Sequence, residues 1–175
     1  MLNRSKKSIN AVPSRKKGKG MGRKTAELGS VSHATMRAQD VLPACLGVLE
    51  EFDKAQADKF WKEVPKDAQD DDHDWWDSED CSYLLNEDVW DAMQEIAPPY
   101  CYFGSHPGDG SDFGFWVCED FVERPEDYGV RKTDDHPETP SDNDDETEYL
   151  HVSDHGNAEL YAWNGEKFES VWGIV

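Results

Sequence analysis

His106, Asp109 and Asp112 fall within one short stretch, His106-Pro107-Gly108-Asp109-Gly110-Ser111-Asp112. An imidazole with two carboxylates nearby can act as a general base or ligate a divalent cation. An EF-hand needs carboxylates at alternate positions and a closing bidentate acid. Asp109, Ser111 and Phe113 do not follow that pattern. A phosphate-binding loop is excluded as well, because the Gly-Lys-Ser/Thr ending is missing. The reading that fits the residue types best is a glycine-defined turn. In it Asp109 and Asp112 accept from backbone amides and His106 packs beside an aromatic ring.

His151 and His155 form a second candidate, with His106 joining them across a sheet as a divalent-metal site. His151 is predicted on a strand and His155 in a turn, so a shared face does not follow from the spacing. No Gly-x-Ser-x-Gly and no activated cysteine is present for nucleophilic catalysis. The sequence therefore predicts no catalytic residues, no cofactor and no metal ligand set. A small metal-dependent enzyme using His106, Asp109 and Asp112 is the alternative.

The third candidate is electrostatic. Asp67 to Asp80 holds eight acids and no Lys or Arg, with Trp75 and Trp76 in its middle. Asp70, Asp71, Asp72, Asp74, Asp77, Glu79 and Asp80 would form a contact strip, and the two Trp rings its aromatic anchors. The opposing reading is a solvated charge run with both rings facing the core.

Whole-chain charge weighs on that choice. Residues 1–24 carry nine Lys or Arg and no acid; subtracting +9 from the net −20 leaves −29 on residues 25–175. Duplex DNA bears about one charge per 1.7 Å of axis, so 29 charges correspond to roughly 50 Å of duplex. A basic groove would meet such a body as a competitor for nucleic acid. A salt-adapted surface would be poor in Lys, whereas Lys outnumbers Arg twelve to six. The expected partner is a host nucleic-acid-binding protein with a basic groove, with no direct nucleic-acid binding by the acidic body.

No apolar run approaches the roughly 20 residues of a membrane helix, and no apolar stretch follows the basic N-terminus as in a secretory signal. Cytoplasmic placement in a bacterial host is the expectation. Cys45, Cys81, Cys101 and Cys118 show no CxxC spacing. They read as reduced thiols, although Cys101 and Cys118 lie on strands expected to pair.

The elements that must position these groups follow from periodicity. Residues 1–35 read as a disordered basic extension, with Met21 and Met36 as candidate starts. Residues 36–175 read as a single acidic domain. Asp40 is expected to cap a helix carrying Leu42, Cys45, Leu46, Leu49 and Phe52 at helical spacing. A second helix places Ala57, Phe60, Trp61 and Val64 on one face. A third, from about Ser82 to Ile96, buries Leu85, Val89, Ala92, Met93 and Ile96 and stops at Pro98-Pro99. Strands are expected at 100–104 and 113–118 around a turn at 106–112. Residues 124–147 lack pattern and read as an acidic linker or loop. Strands at about 148–153, 158–163 and 167–174 complete the chain, the last two joined by Asn164-Gly165. The class is α+β, with N-terminal helices packed on a C-terminal antiparallel β-sheet.

The string YCYFGSHPGDGSDFGFW at Tyr100–Trp116 resembles a motif of small acidic proteins of bacteriophages and prophages. HVSDHGNAELYAWNG, in the terminal hairpins, is similar to the same family. The matching region is 36–122 plus those hairpins; the basic tail and the acidic loop at 134–148 depart from it. The resemblance implies a phage or mobile-element context and no particular activity. Joined to the charge, it leads to the expectation of a non-enzymatic inhibitor of anti-restriction or anti-CRISPR type that mimics DNA. A phage accessory or structural protein is a further alternative.

Overall fold

The computed structural model describes residues 24–68, 72–140 and 147–175, and the fold is α+β. Helix α1 (Ala38–Glu50) buries Val41, Leu42, Cys45, Leu46 and Leu49. It begins before Asp40, so that residue is not its cap. Asp40 instead accepts from the Thr35 hydroxyl at 2.6 Å, and the same hydroxyl oxygen accepts from Arg37 N at 3.1 Å. These bonds fix the entry of the chain into the helix. Helix α2 (Lys54–Trp61) is capped by Asp53, which accepts from Gln56 N, and buries Ala57 and Phe60.

The third helix starts earlier than its apolar spacing suggests. Ser78 accepts from Cys81 N and donates to the Trp75 carbonyl, which sets the start of α3 (Glu79–Tyr83). A π-helical segment, Leu84–Val89, leads directly into α4 (Trp90–Ile96). Its inward side carries Cys81, Leu84, Leu85, Val89, Ala92, Met93 and Ile96.

After Pro98-Pro99 the chain turns through Tyr100, whose φ is +62°. Strands β2 (Cys101–His106) and β3 (Asp109–Val117) then pair antiparallel. The turn expected over 106–112 is shorter: only Pro107 and Gly108 separate the strands, and Asp109–Asp112 belong to β3. Strand β1 (Gly29–Ser32) pairs with β3 on its other edge, giving the order β1-β3-β2. β1 lies within the stretch expected to be disordered, and Ala26 ahead of it is buried with its N–H on the Ile96 carbonyl at 2.9 Å. Its sequence Gly-Ser-Val-Ser is too short and too polar to announce a strand; β3 supplies the pairing. A Cβ on Gly114 would collide with the Gly29 carbonyl, so only glycine permits this approach. The helices and this sheet enclose one core.

A second core lies under the rest of the chain. Helix α5 (Glu119–Glu123) buries Phe121, and a 3-10 turn (Pro125–Tyr128) leads to buried Val130 and β4 (Arg131–Thr133). The expected patternless linker is therefore structured over its first part. No local pattern marks this part, because β4 has three residues and pairs parallel with the distant β5 (Glu148–Val152). β6 (Ala158–Trp163) and β7 (Phe168–Ile174) extend this sheet in the order β4-β5-β6-β7. Among the described residues there are thus two sheets, and the second is mixed. Its inner face, with Leu150, Leu160 and Trp172, packs on Cys101, Phe121 and Val130.

All four cysteines are free. Burial pushes the Cys45 thiol up to about 12 and Cys118 to about 11, and raises Cys81 and Cys101.

Candidate acidic interface

Residues 67–123 contain no Lys or Arg at all. In the fold the first part of this base-free stretch becomes a 3-10 turn (Asp74–Asp77) followed by the continuous helix from Glu79 to Ile96. Asp72, Asp74, Asp77, Glu79 and Asp80 are exposed, and so are Glu87, Asp91 and Glu95 beyond them. Asp70 and Asp71 lie outside the described residues. Among the described residues, Asp74, Asp77, Glu79, Asp80, Glu87, Asp88 and Asp91 form no ion pair with Lys or Arg. Glu79, Asp80, Glu87, Asp88, Asp91 and Glu95 span about 24 Å of helix at 1.5 Å per residue. That is about one charge per 5 Å, sparser than the roughly 3.4 Å spacing along one strand of DNA.

The strip expected from composition ends at Asp80, where the apolar helix pattern begins. Helical spacing itself held the missing signal, since the positions left over by the buried face carry the further acids.

Trp75 and Trp76 are placed differently from the anchor expectation. Both are half-buried against the helical core, in an edge-to-face pair with centroids 5.0 Å apart. His73 fixes this turn by accepting from Trp75 N at 3.1 Å, and its other ring nitrogen lies 3.7 Å from Asp67. The exposed aromatic residue of the acidic helix is Tyr83, 63% accessible, between Asp80 and Glu87. It was missed because a tyrosine at helical spacing reads as core.

The motif residues serve the hairpin. His106 Nδ1 accepts from Gly108 N at 3.0 Å, and its ring packs edge-on against Trp116 at 4.7 Å. Asp109 accepts from the Ser111 amide and hydroxyl at 2.9 and 2.7 Å, which lowers its pKa. Asp112 accepts from the Ser30 hydroxyl at 3.0 Å, tying β1 to β3. The turn reading thus holds for His106 and Asp109, while Asp112 bonds a side chain rather than an amide. Among the described residues no three His, Cys, Asp or Glu side chains are grouped to hold a metal ion. His106 and His151 lie on different sheets, and His155 is exposed in the β5–β6 turn.

His151 instead meets His136. Their rings stack at 4.1 Å on the outer face of the second sheet, beside a stacked Tyr149–Tyr161 pair at 4.9 Å. Nothing in the spacing of residues 136 and 151 announced this contact.

No family model, curated protein or solved structure matches this chain. Among the described residues no helix is long and apolar enough to cross a membrane.

Proposed function

We propose that this protein is a non-enzymatic inhibitor that occupies the basic groove of a nucleic-acid-binding protein with its acidic helical face. The observation that carries this reading is the row of exposed acids from Asp72 to Glu95 in a stretch with no Lys or Arg. Long-range attraction steers such a body towards a Lys/Arg-lined groove, and like charge keeps nucleic acid itself away. Tyr83 supplies an aromatic face inside the charged strip, of the kind that anchors interfaces. The resemblance of Tyr100–Trp116 to phage proteins supplies the context: a mobile element acting on a host restriction, CRISPR or transcription component.

The test is capture from bacterial lysate by the immobilised full chain, eluted first with salt and then with duplex DNA. Release of a nucleic-acid-binding protein by both agents is expected. Two variants locate the contact: Asp70, Asp71, Asp72 and Asp74 changed together to Asn, and Glu87→Gln with Asp91→Asn. Capture insensitive to salt and DNA, or undiminished in both variants, overturns the proposal.

A further inference from the structure

We infer that Asn164 is a self-modification site, at which the Gly165 amide attacks the Asn164 carboxamide and expels ammonia. Residues 164–167 form the exposed turn between β6 and β7. The Asn164 N–H closes this hairpin on the Lys167 carbonyl at 3.0 Å. Asn164 Oδ1 accepts from two further amides, Glu166 N at 2.8 Å and Lys167 N at 2.9 Å. Of the four amides in the turn, only that of Gly165 donates to nothing among the described residues. It is also the nitrogen that closes a five-membered ring on the Asn164 side chain. Gly165, at φ +105°, carries no side chain to crowd the approach.

The two bonds to Oδ1 prepare the electrophile. They draw electron density from Cγ, and negative charge develops on Oδ1 as Cγ becomes tetrahedral. Two backbone N–H groups already point at that oxygen, which is the arrangement that stabilises an oxyanion. Solvent hydroxide takes the Gly165 proton as its nitrogen bonds to Cγ. The tetrahedral centre then collapses, the Cγ–Nδ2 bond breaks, and the nitrogen leaves as ammonia with a proton returned from water. A succinimide remains. Water opens it at Cγ to give aspartate, or at the main-chain carbonyl to give isoaspartate. Either product adds a negative charge. Isoaspartate also lengthens the backbone by a methylene, next to the edge-to-face Trp163–Phe168 pair at 5.2 Å.

Related positions each lack one part of this arrangement. Asn86 donates from Nδ2 to the Ser82 carbonyl at 2.8 Å, and its π-helical segment fixes the amide that follows. Asn157 precedes buried Ala158, whose Cβ crowds the attacking nitrogen. Asp109-Gly110 repeats the pattern, since Asp109 accepts from the Ser111 hydroxyl and amide. Those bonds lower its pKa and keep it a carboxylate, which offers no leaving group.

The inference does not depend on the proposed inhibitory function. It is tested by incubating the full chain at mildly alkaline pH and mapping its peptides by mass spectrometry. Asn164 is expected to lose the mass of ammonia and then gain that of water, while Asn86 and Asn157 keep theirs. Asn164→Gln, whose ring would need six members, should remove the signal. Guanidinium chloride abolishes the donor pair but leaves the Asn-Gly sequence in place. The folded chain should therefore react about tenfold faster than the denatured one, the worth of a hydrogen bond to a charged acceptor at an exposed site. A folded rate equal to or below the denatured rate overturns the inference, because the sequence alone then sets the chemistry. So does an Asn164 that stays intact in the folded chain.

Discussion

The Tyr100 hydroxyl donates to Glu148 at 2.7 Å, while the Tyr100 ring lies flat on Phe121 at 4.0 Å with planes 2° apart. One side chain thereby joins the strand-turn region after Pro98-Pro99 to the second sheet. Trp172 reinforces the junction by donating from Nε1 to the Pro99 carbonyl at 2.8 Å. A hydrogen bond to a charged acceptor contributes about 1.5–3 kcal/mol. Tyr100→Phe keeps the stack and loses this bond, so urea unfolding should show a loss of that size. Tyr100→Ala should cost about 3–5 kcal/mol, because the ring is removed as well. Unchanged stability in Tyr100→Phe would mean that the Glu148 bond does not hold the two cores together.

Strand β1 depends on a missing side chain. Gly114→Ala should displace β1 from β3, since the new methyl group meets the Gly29 carbonyl. Overpacking of this kind costs roughly 1–3 kcal/mol. Amide exchange should rise at Gly29–Ser32 and leave the β2–β3 pairs protected. A chain starting at Met36 should be destabilised in the same direction, because it lacks β1 and buried Ala26. Equal stability of the two chains would show β1 to be dispensable.

What the sequence made legible follows from how far apart the determining residues are. α1, α2 and the β5–β6–β7 meander bury faces written locally as Leu42-Leu46-Leu49 or Leu150-Leu160-Trp172, and their spacing is visible without a partner. β1 and β4 are created by strands more than a dozen residues away, and neither has a hydrophobic period of its own. The acidic strip was readable as composition, but its continuation through Glu87, Asp91 and Glu95 needed the helix to show which side faces solvent. The His136–His151 stack is set by a parallel register, for which no local pattern exists.

The thiols provide a test of the interior. With Cys45 near 12 and Cys118 near 11, and Cys81 and Cys101 also raised by burial, few thiolates exist at pH 8. A disulfide-exchange reagent should modify the folded chain slowly, Cys118 first because it alone is partly exposed, and all four at once in urea. Rapid modification of Cys45 in the absence of denaturant would contradict the sealed helical core.

Tyr161 should titrate at about 12, raised first by burial and then by its hydrogen bond to Glu159. A phenol whose folded pKa exceeds its unfolded value near 10 holds its proton more tightly when folded. Its contribution to stability is therefore full below pH 10 and lost as the pH rises towards 12. Carbon NMR of the tyrosine ring should place the Tyr161 midpoint there, and Glu159→Gln should lower it without restoring the ordinary value, because burial remains. A midpoint near 10 in the parent would show that neither the burial of the Tyr161 ring nor its Glu159 contact holds in solution.

The acidic helix predicts opposite changes in stability and binding. Like charges close together on a helix cost about 0.2–0.5 kcal/mol per pair at low salt. Glu87→Gln with Asp91→Asn should therefore raise stability by a few tenths of a kcal/mol, and this gain should shrink as salt is added. The same variant should bind a basic nucleic-acid-binding partner more weakly and with a shallower salt dependence. Glu79 and Asp80 differ, since at the start of α3 they complement the dipole, and neutralising them should cost stability. A contact face retained against its own stability is what an interaction role requires. If Glu87→Gln with Asp91→Asn changes neither quantity, this face serves only to keep the surface charged.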